Sequence, residues 1–143
     1  MLSVCRIVKN EEQMIAQALD SVQDLADEII VVATGSTDRT KEIATHYTKN
    51  VYDFTWCDDF SKVRNFSLSK ATGDWILVLD ADEMIAQEDH DAIRELMNRN
   101  AVAYAFPQIS YTNDTTQYHY IPLLKNNSLH ARYQPYWKHC TGY

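Results

Sequence analysis

"WILVLDADEM", residues 75–84, is an apolar run that stops at three acids, Asp80, Asp82 and Glu83. Trp75 to Leu79 form a short, continuous apolar stretch with Gly73 before it and carboxylates after it, the pattern of a strand buried on both faces. Such strands belong to parallel sheets covered by helices on both sides, so this one segment points to an α/β fold. Carboxylates crowded at its end repel and raise one another's pKa unless a cation or a set of donors lies between them. A divalent metal is the most economical partner. The competing reading is that the acids only complement the dipole of a following helix.

Working outward from that strand, apolar runs alternate with helical patterns. Upstream, "DDFSKVRNFSLSKATG" reads as a helix from about Asp58, stopped at Gly73, which suits the left-handed position after a helix C-terminus. "VYDF" at 51–54 is a short strand near an edge, "EIIVV" at 28–32 a buried one and "LSVCRIV" at 2–8 the first. Asn10 is expected to cap a helix with Gln13 as its box partner, Met14, Ile15, Ala18, Leu19 and Val22 falling on one face. In "ATGSTDRT", Gly35 permits a tight turn, and Ser36 or Thr37 caps a helix carrying Ile43, Ala44 and Tyr47 inward. Downstream, Ala92, Ile93, Leu96 and Met97 mark another amphipathic helix. After residue 101 the character changes: "AVAYAF" alternates, Pro107 interrupts, and "QISYTNDTTQYHYIPLL" reads as two strands joined at Asn113 and Asp114. That half is expected to be antiparallel or mixed. The whole reads as one domain over 1–143, a mostly parallel sheet with helices on both faces over 1–100 and a β-rich part over 101–143.

Composition narrows the function. Thirteen basic residues against 20 acidic give a net charge of −7, so nothing in the overall field draws this chain to nucleic acid or to an anionic membrane. Cys5, Cys57 and Cys140 are odd in number and far apart, without the spacing of a zinc site or redox pair, which fits a reducing cytoplasm. "MLSVCRIVKN" is interrupted too soon by Arg6 and Lys9 to be a signal peptide, and no run is long enough to span a membrane. The expectation is a soluble cytoplasmic protein, with peripheral contact with a membrane left open.

In open parallel sheets ligands sit beyond the carboxyl ends of the strands. Four strands here end on polar groups: "KNEE", "TGSTD", "WCDDF" and "DADE". Taken singly, each has a plainer account. "TGSTD" serves as a strand-to-helix turn, and Arg64 pairs at the surface with Asp58 or Asp59. His46, His90 and His130 fall in polar surroundings with no role, and the aromatic tail "HARYQPYWKHCTGY" is packed core or a substrate-facing loop. Together the four ends line one crevice, and a crevice lined in that way is a site.

The segments "CRIVKNEE", "DEIIVVATGSTDRTKEIA", "FTWCDDFSKVRNFSLSKATGDWILVLDADE" and "YIPLLKNN" resemble the inverting family 2 nucleotide-sugar glycosyltransferases of the GT-A fold, especially the lipopolysaccharide-core and tetratricopeptide-linked branch. The resemblance covers roughly residues 2 to 130, and four ordered motifs are more specific than a lone DxD. It implies transfer of a sugar from a nucleotide-diphosphate donor to a glycan, lipid or peptide acceptor, in cell envelope polysaccharide biosynthesis, with Mn²⁺ or Mg²⁺ as cofactor. The 1–100 part would bind nucleotide and the 101–143 part face the acceptor. Lys9, Ala33, Thr34, Gly35 and Ser36 would line the nucleotide pocket, with Asn10 and Glu11 near the nucleoside. Arg64 and Asn65 would lie by the nucleotide or diphosphate, Asp80 and Ala81 by the ribose or sugar, and Asp82 on the metal. Asp80, Asp82 and His139 are the candidate catalytic residues.

Two departures from the resemblance stand out. Ala33 occupies a position where an aspartate is usual, one that commonly receives a hydrogen bond from the nucleobase; its loss would weaken donor binding roughly ten- to a hundredfold. An inverting transferase also needs a base within reach of the acceptor hydroxyl. Here His139 stands in "WKHCTGY" with Cys140 in place of an acid. A catalytically impaired or shortened relative acting as a binding module is therefore the alternative. A nucleotidyltransferase is a third reading, but it lacks the Gly- and Lys-rich phosphate loop such an enzyme would need.

Overall fold

The computed structural model describes residues 1–112 and 115–126. It is a six-stranded sheet with helices on both faces, as the sequence pattern implies. The strands are β1 (Leu2–Val8), β2 (Glu28–Ala33), β3 (Val51–Asp53), β4 (Trp75–Asp80), β5 (Ala103–Thr112) and β6 (Thr115–Lys125), in the spatial order β3-β2-β1-β4-β6-β5. The first four in space pair in parallel, and β6 then runs antiparallel to both β4 and β5. The change of character after residue 101 is thus the change from parallel to antiparallel pairing. The expected turn at Asn113 and Asp114, and everything from residue 127 on, lies outside the described residues.

Alternation along β1 and β4 sorts their side chains between two cores. Leu2, Val4, Val8, Trp75, Leu77 and Leu79 face α1 (Ile15–Gln23), α2 (Thr40–Thr45) and α4 (His90–Met97), whereas Cys5, Ile76 and Val78 face α3 (Phe60–Lys70). Period-2 alternation between two buried faces is why these strands read as continuous apolar runs. Deep burial also pushes the Cys5 thiol up to about 12, so it packs as a small apolar side chain.

Several helix boundaries differ from the sequence reading, each for a local reason. Asn10 does not cap α1: the helix begins at Ile15 after Met14 with no side-chain cap, and Asn10 stands in the left-handed region at φ 51. Neither Ser36 nor Thr37 caps α2. Asp38 does that work from just outside, accepting from the Thr40 N–H at 2.9 Å. Asp59, one residue later than expected, caps α3 through the Ser61 N–H. Gly73 does not hold a left-handed cap, since α3 ends on an extended Ala71 and Gly73 is not among the positive-φ residues. Its requirement is space: a Cβ there would meet Ser3 Oγ at 2.6 Å, Met1 O at 2.8 Å and Ser3 N at 2.9 Å. His90, expected on a polar surface, is buried at the start of α4, with Nε2 2.9 Å from Ser21 O. No helix among the described residues is long and apolar enough to cross a membrane.

Candidate functional site

The carboxyl ends of β1, β2 and β4 open at one end of the sheet, and the loops that follow β1 and β2 are tied to each other. The loop after β1 and the loop after β2 are cross-bonded by alternating backbone and side-chain groups. The Thr37 N–H donates to Asn10 Oδ1 at 2.8 Å, the Asn10 N–H to Ser36 Oγ at 3.2 Å, and the Glu11 N–H to Thr40 Oγ1 at 2.8 Å. The Glu12 N–H reaches Asp38 Oδ2, and the Arg39 N–H returns to Glu12 Oε2. Asn10 and Ser36, expected to face a nucleotide, therefore spend polar groups holding one loop to the other. Lys9 and Gly35 are exposed on the rim, Thr34 is buried with its N–H on Val8 O, and Glu11 is half-buried. The Glu11 carboxyl is pushed up by burial first and then by Asp82 and Asp38. That coupling brings Glu11 electrostatically next to the acidic end of β4.

At that end, Arg64 from α3 donates through Nη2 to Asp80 Oδ1. The plainer of the two sequence readings of Arg64 pairs it with Asp58 or Asp59. The helix places it four residues beyond Phe60, which turns its side chain over the sheet toward β4 instead. Arg64 is only 8% exposed, and its Nη1 has no hydrogen-bond partner among the described residues. A buried guanidinium N–H without an acceptor is costly unless something arrives to accept it. Asn65 follows half-buried on the same helix.

Residues 80 to 83 form a closed turn. The Glu83 N–H donates to Asp80 O at 3.1 Å, and the Asp80 N–H donates to Glu83 Oε2 at 2.6 Å. From beneath, Arg6 Nη1 donates to both Asp80 O at 2.7 Å and Glu83 O at 2.9 Å, while its Nη2 reaches Ala18 O of α1 at 2.8 Å. Ala81 packs into the core and Asp82 is exposed at the apex. Burial pushes the Glu83 carboxyl up to about 7, with Asp80 and Asp82 adding to the rise against its backbone hydrogen bond. Burial lowers Arg6 to about 10, and the three neighbouring acids oppose that fall, so it stays charged at neutral pH.

Glu83 reads from the sequence only as one of three acids at the strand's end, and Arg6 receives no role there, although an arginine between Cys5 and Ile7 in an apolar strand is itself a signal. An arginine is almost never fully buried without partners, so partners had to exist. The plainer reading of the acids, as decoration of a helix N-terminus, does not hold: α4 starts only at His90, and a 3₁₀ turn at Gln87–Asp89 precedes it.

The donor set bears on which ion could bind. Among the described residues no three His, Cys, Asp or Glu side chains gather closely enough to cage a metal. One Asp80 oxygen is taken by Arg64 and one Glu83 oxygen by the Asp80 N–H, leaving Asp82 as the freely presented carboxylate. A hard cation that keeps its waters and shares a ligand's phosphates fits such a set, and zinc does not. Ala33, at the end of β2, is 1% exposed within the larger core cluster. His139 lies outside the described residues.

Comparisons with known proteins converge on one family. The glycosyl transferase family 2 model matches residues 3–142. A TPR repeat-containing protein of Synechococcus elongatus is 45% identical over 98 residues, which is 68% of this chain and 24% of that protein. An uncharacterised glycosyltransferase of Rickettsia typhi is 36% identical over 129 residues, 87% of this chain and 44% of that one. The chain thus spans less than half the length of these curated relatives. Among solved structures, glucosyl-3-phosphoglycerate synthase of Mycobacterium tuberculosis, in complex with Mn²⁺, UDP and glucosyl-3-phosphoglycerate, aligns with a TM-score of 0.51 at 27% identity, over 57% of this chain and 33% of that one. The Pyrobaculum calidifontis mannosyltransferase in complex with GDP-Man and Mn²⁺ gives a TM-score of 0.60 at 23% identity, over 71% of this chain and 34% of that one, a likeness of fold. A family match over nearly the full length, on a parallel sheet whose β4 ends in a pinned acidic turn, establishes that this chain belongs to glycosyl transferase family 2.

Proposed function

We propose that the chain carries the donor site of a metal-dependent, inverting glycosyltransferase that moves a sugar from a nucleoside diphosphate to a glycan, lipid or peptide acceptor. The observation that supports this most directly is Arg64, whose buried Nη1 has no acceptor among the described residues while Nη2 is committed to Asp80. A phosphate oxygen of the donor would complete that guanidinium. Charge-assisted hydrogen bonds of this kind are about twice as strong as neutral ones, and they strengthen as the leaving diphosphate gains charge. Asp80, oriented by Arg64, faces the ribose or sugar, and Asp82 at the apex of the turn holds Mn²⁺ or Mg²⁺ jointly with the diphosphate. When bound, that cation neutralises charge on the departing phosphates. Lys9, Thr34 and Gly35 line the nucleotide side with Glu11. Asn10 and Ser36 act there by holding the two loops in register. His139 is the candidate base for the acceptor hydroxyl, within a 101–143 part that serves the acceptor. A cytoplasmic setting supplying nucleotide sugars, and a role in envelope polysaccharide synthesis, complete the reading.

The test is a thermal-shift series with UDP and GDP, with and without Mn²⁺, followed by nucleoside diphosphate release from a panel of donors. A ligand that binds only the folded state raises apparent stability with its occupancy. Stabilisation by one diphosphate that needs Mn²⁺, with diphosphate release, supports the transferase. No stabilisation by either nucleotide at saturating Mn²⁺ removes it.

One observation favours a second reading. Ala33 sits sealed in an apolar cluster at a position where the sequence resemblance implies an aspartate, so its side chain offers the base no acceptor. A module that binds nucleotide weakly and turns over slowly would follow from that change, and binding without diphosphate release would favour it.

A further inference from the structure

Arg6 is an unexpected residue at the centre of the sheet. It lies on β1 between Val4 and Val8, on the face that packs against α1, and it is 0% exposed. An arginine there is a poor choice for stability: a well-packed apolar side chain in place of a buried charge is often neutral or stabilising. Its Nε, moreover, has no partner among the described residues, which adds to the cost. What the guanidinium does achieve is geometric. Nη1 spans the two carbonyls, Asp80 O and Glu83 O, that bound the acidic turn, and Nη2 anchors the same group to Ala18 O of α1. Two arginines thus reach the end of β4 from opposite faces of the sheet, Arg64 taking the carboxylate of Asp80 and Arg6 its carbonyl.

We infer that Arg6 is a positioning residue: by fixing both ends of the 80–83 turn from below, it aims the Asp82 carboxylate at the divalent cation that arrives with a nucleoside diphosphate. This rests on the transferase reading above. Arg6 touches neither ligand nor metal and acts through the turn alone. Carboxylates that hold a cation together with waters and phosphates depend on orientation, and groups that orient metal ligands typically contribute about ten- to a hundredfold in affinity. A methionine would fill the same space without the two carbonyl contacts, and a lysine would keep the charge but lose the planar fork.

The experiment uses the full chain as wild type, Arg6→Met and Arg6→Lys. Mn²⁺ binding in the presence of UDP or GDP is read by the paramagnetic resonance of free Mn²⁺, and nucleotide binding in EDTA is read by calorimetry. Arg6→Met is expected to weaken Mn²⁺ binding about tenfold or more while leaving metal-free nucleotide binding nearly unchanged, with Arg6→Lys recovering part of the loss. Unchanged Mn²⁺ affinity in Arg6→Met overturns the inference, as does an equal loss of metal-free nucleotide binding, which marks a general loosening of the fold. If Arg6→Met does not fold, Arg6→Lys decides in its place, and wild-type Mn²⁺ affinity there overturns it. Should the wild type itself bind neither Mn²⁺ nor nucleotide, the transferase reading is what has failed, and the positioning role falls with it.

Discussion

Arg64 carries a charge into an almost closed space and uses half of its fork there. Because the other half has no acceptor among the described residues, its replacement separates two effects that usually travel together. Arg64→Lys keeps the charge near Asp80 but loses the second planar donor. We expect the affinity for the nucleoside diphosphate to fall about tenfold, the size of one charge-assisted hydrogen bond, with a smaller loss of stability than Arg64→Met causes. Titration calorimetry and chemical denaturation of both variants check this; a diphosphate affinity untouched by Arg64→Lys would remove Arg64 from the ligand. Ala33 makes the complementary case. Its methyl group is sealed from solvent, so Ala33→Asp buries a carboxylate and should lower the melting temperature of the ligand-free protein. If the missing aspartate is what limits affinity, the same variant should bind its nucleotide about ten- to a hundredfold more tightly, the range of one charged hydrogen bond. Unchanged or weaker binding would mean that Ala33 is not the limiting feature.

At the scale of elements, the site is made of turns whose geometry is fixed by side chains from other segments. Asn10 holds the loop after β1 against the loop after β2 and does so from a left-handed backbone, a region that asparagine tolerates and alanine does not. Asn10→Ala loses the acceptor for the Thr37 N–H and keeps the strained φ, so a loss of about 2 kcal/mol is expected in urea denaturation. Asn10→Gly relieves the strain and should recover part of it. Gly73 is the second such element. Two of the three atoms crowding its would-be Cβ are backbone atoms of the β1 end, which cannot swing away, so Gly73→Ala should cost about 1–3 kcal/mol by the same assay. These two positions also show what the sequence did and did not disclose. The strands β1 to β4 and the core faces of the helices were legible, because apolar period and length are local properties of the chain. Asn10 and Gly73 read from the sequence as helix-cap residues, and that part of the reading fails, since capping is the local explanation whereas the partners found, Thr37 and Ser3, lie 27 and 70 residues away. The Arg64–Asp80 pair and the Arg6 contacts were missed on the same ground: parallel strands bring together segments that no spacing rule connects.

For the molecule as a whole, the arrangement at the end of β4 sets how stability should vary with pH when no metal is bound. The Glu83 carboxyl stands at about 7 in the fold against 4.5 for an ordinary glutamate. Between those values the folded chain holds a proton that the unfolded chain has released, so stability falls as pH rises from about 4.5 and the loss is complete above about 7. Carboxyls held below their ordinary values act in the opposite sense. Asp38 and Asp59, lowered first by their hydroxyl partners Thr40 and Ser61, lend stability that is present above their unfolded pKa and lost as pH falls. The two trends meet in mildly acid solution, where the metal-free protein should be most stable. Glu83→Gln isolates the contribution of the buried acid, because an amide oxygen can still accept the Asp80 N–H while carrying no charge at any pH. Against the wild type in EDTA, the variant should gain on the order of 1–2 kcal/mol at pH 8 and little at pH 5; the gain is held down because Arg6 loses a neighbouring counter-charge. Saturating Mn²⁺ with the nucleotide should shrink the difference at pH 8, since a cation at the turn stabilises the ionised acid that the wild type alone possesses. Urea denaturation at the two pH values decides it. A Glu83→Gln effect of equal size and sign at both would mean that the acid is already ionised in the fold, and that the turn beneath Asp82 is charged before any cation reaches it.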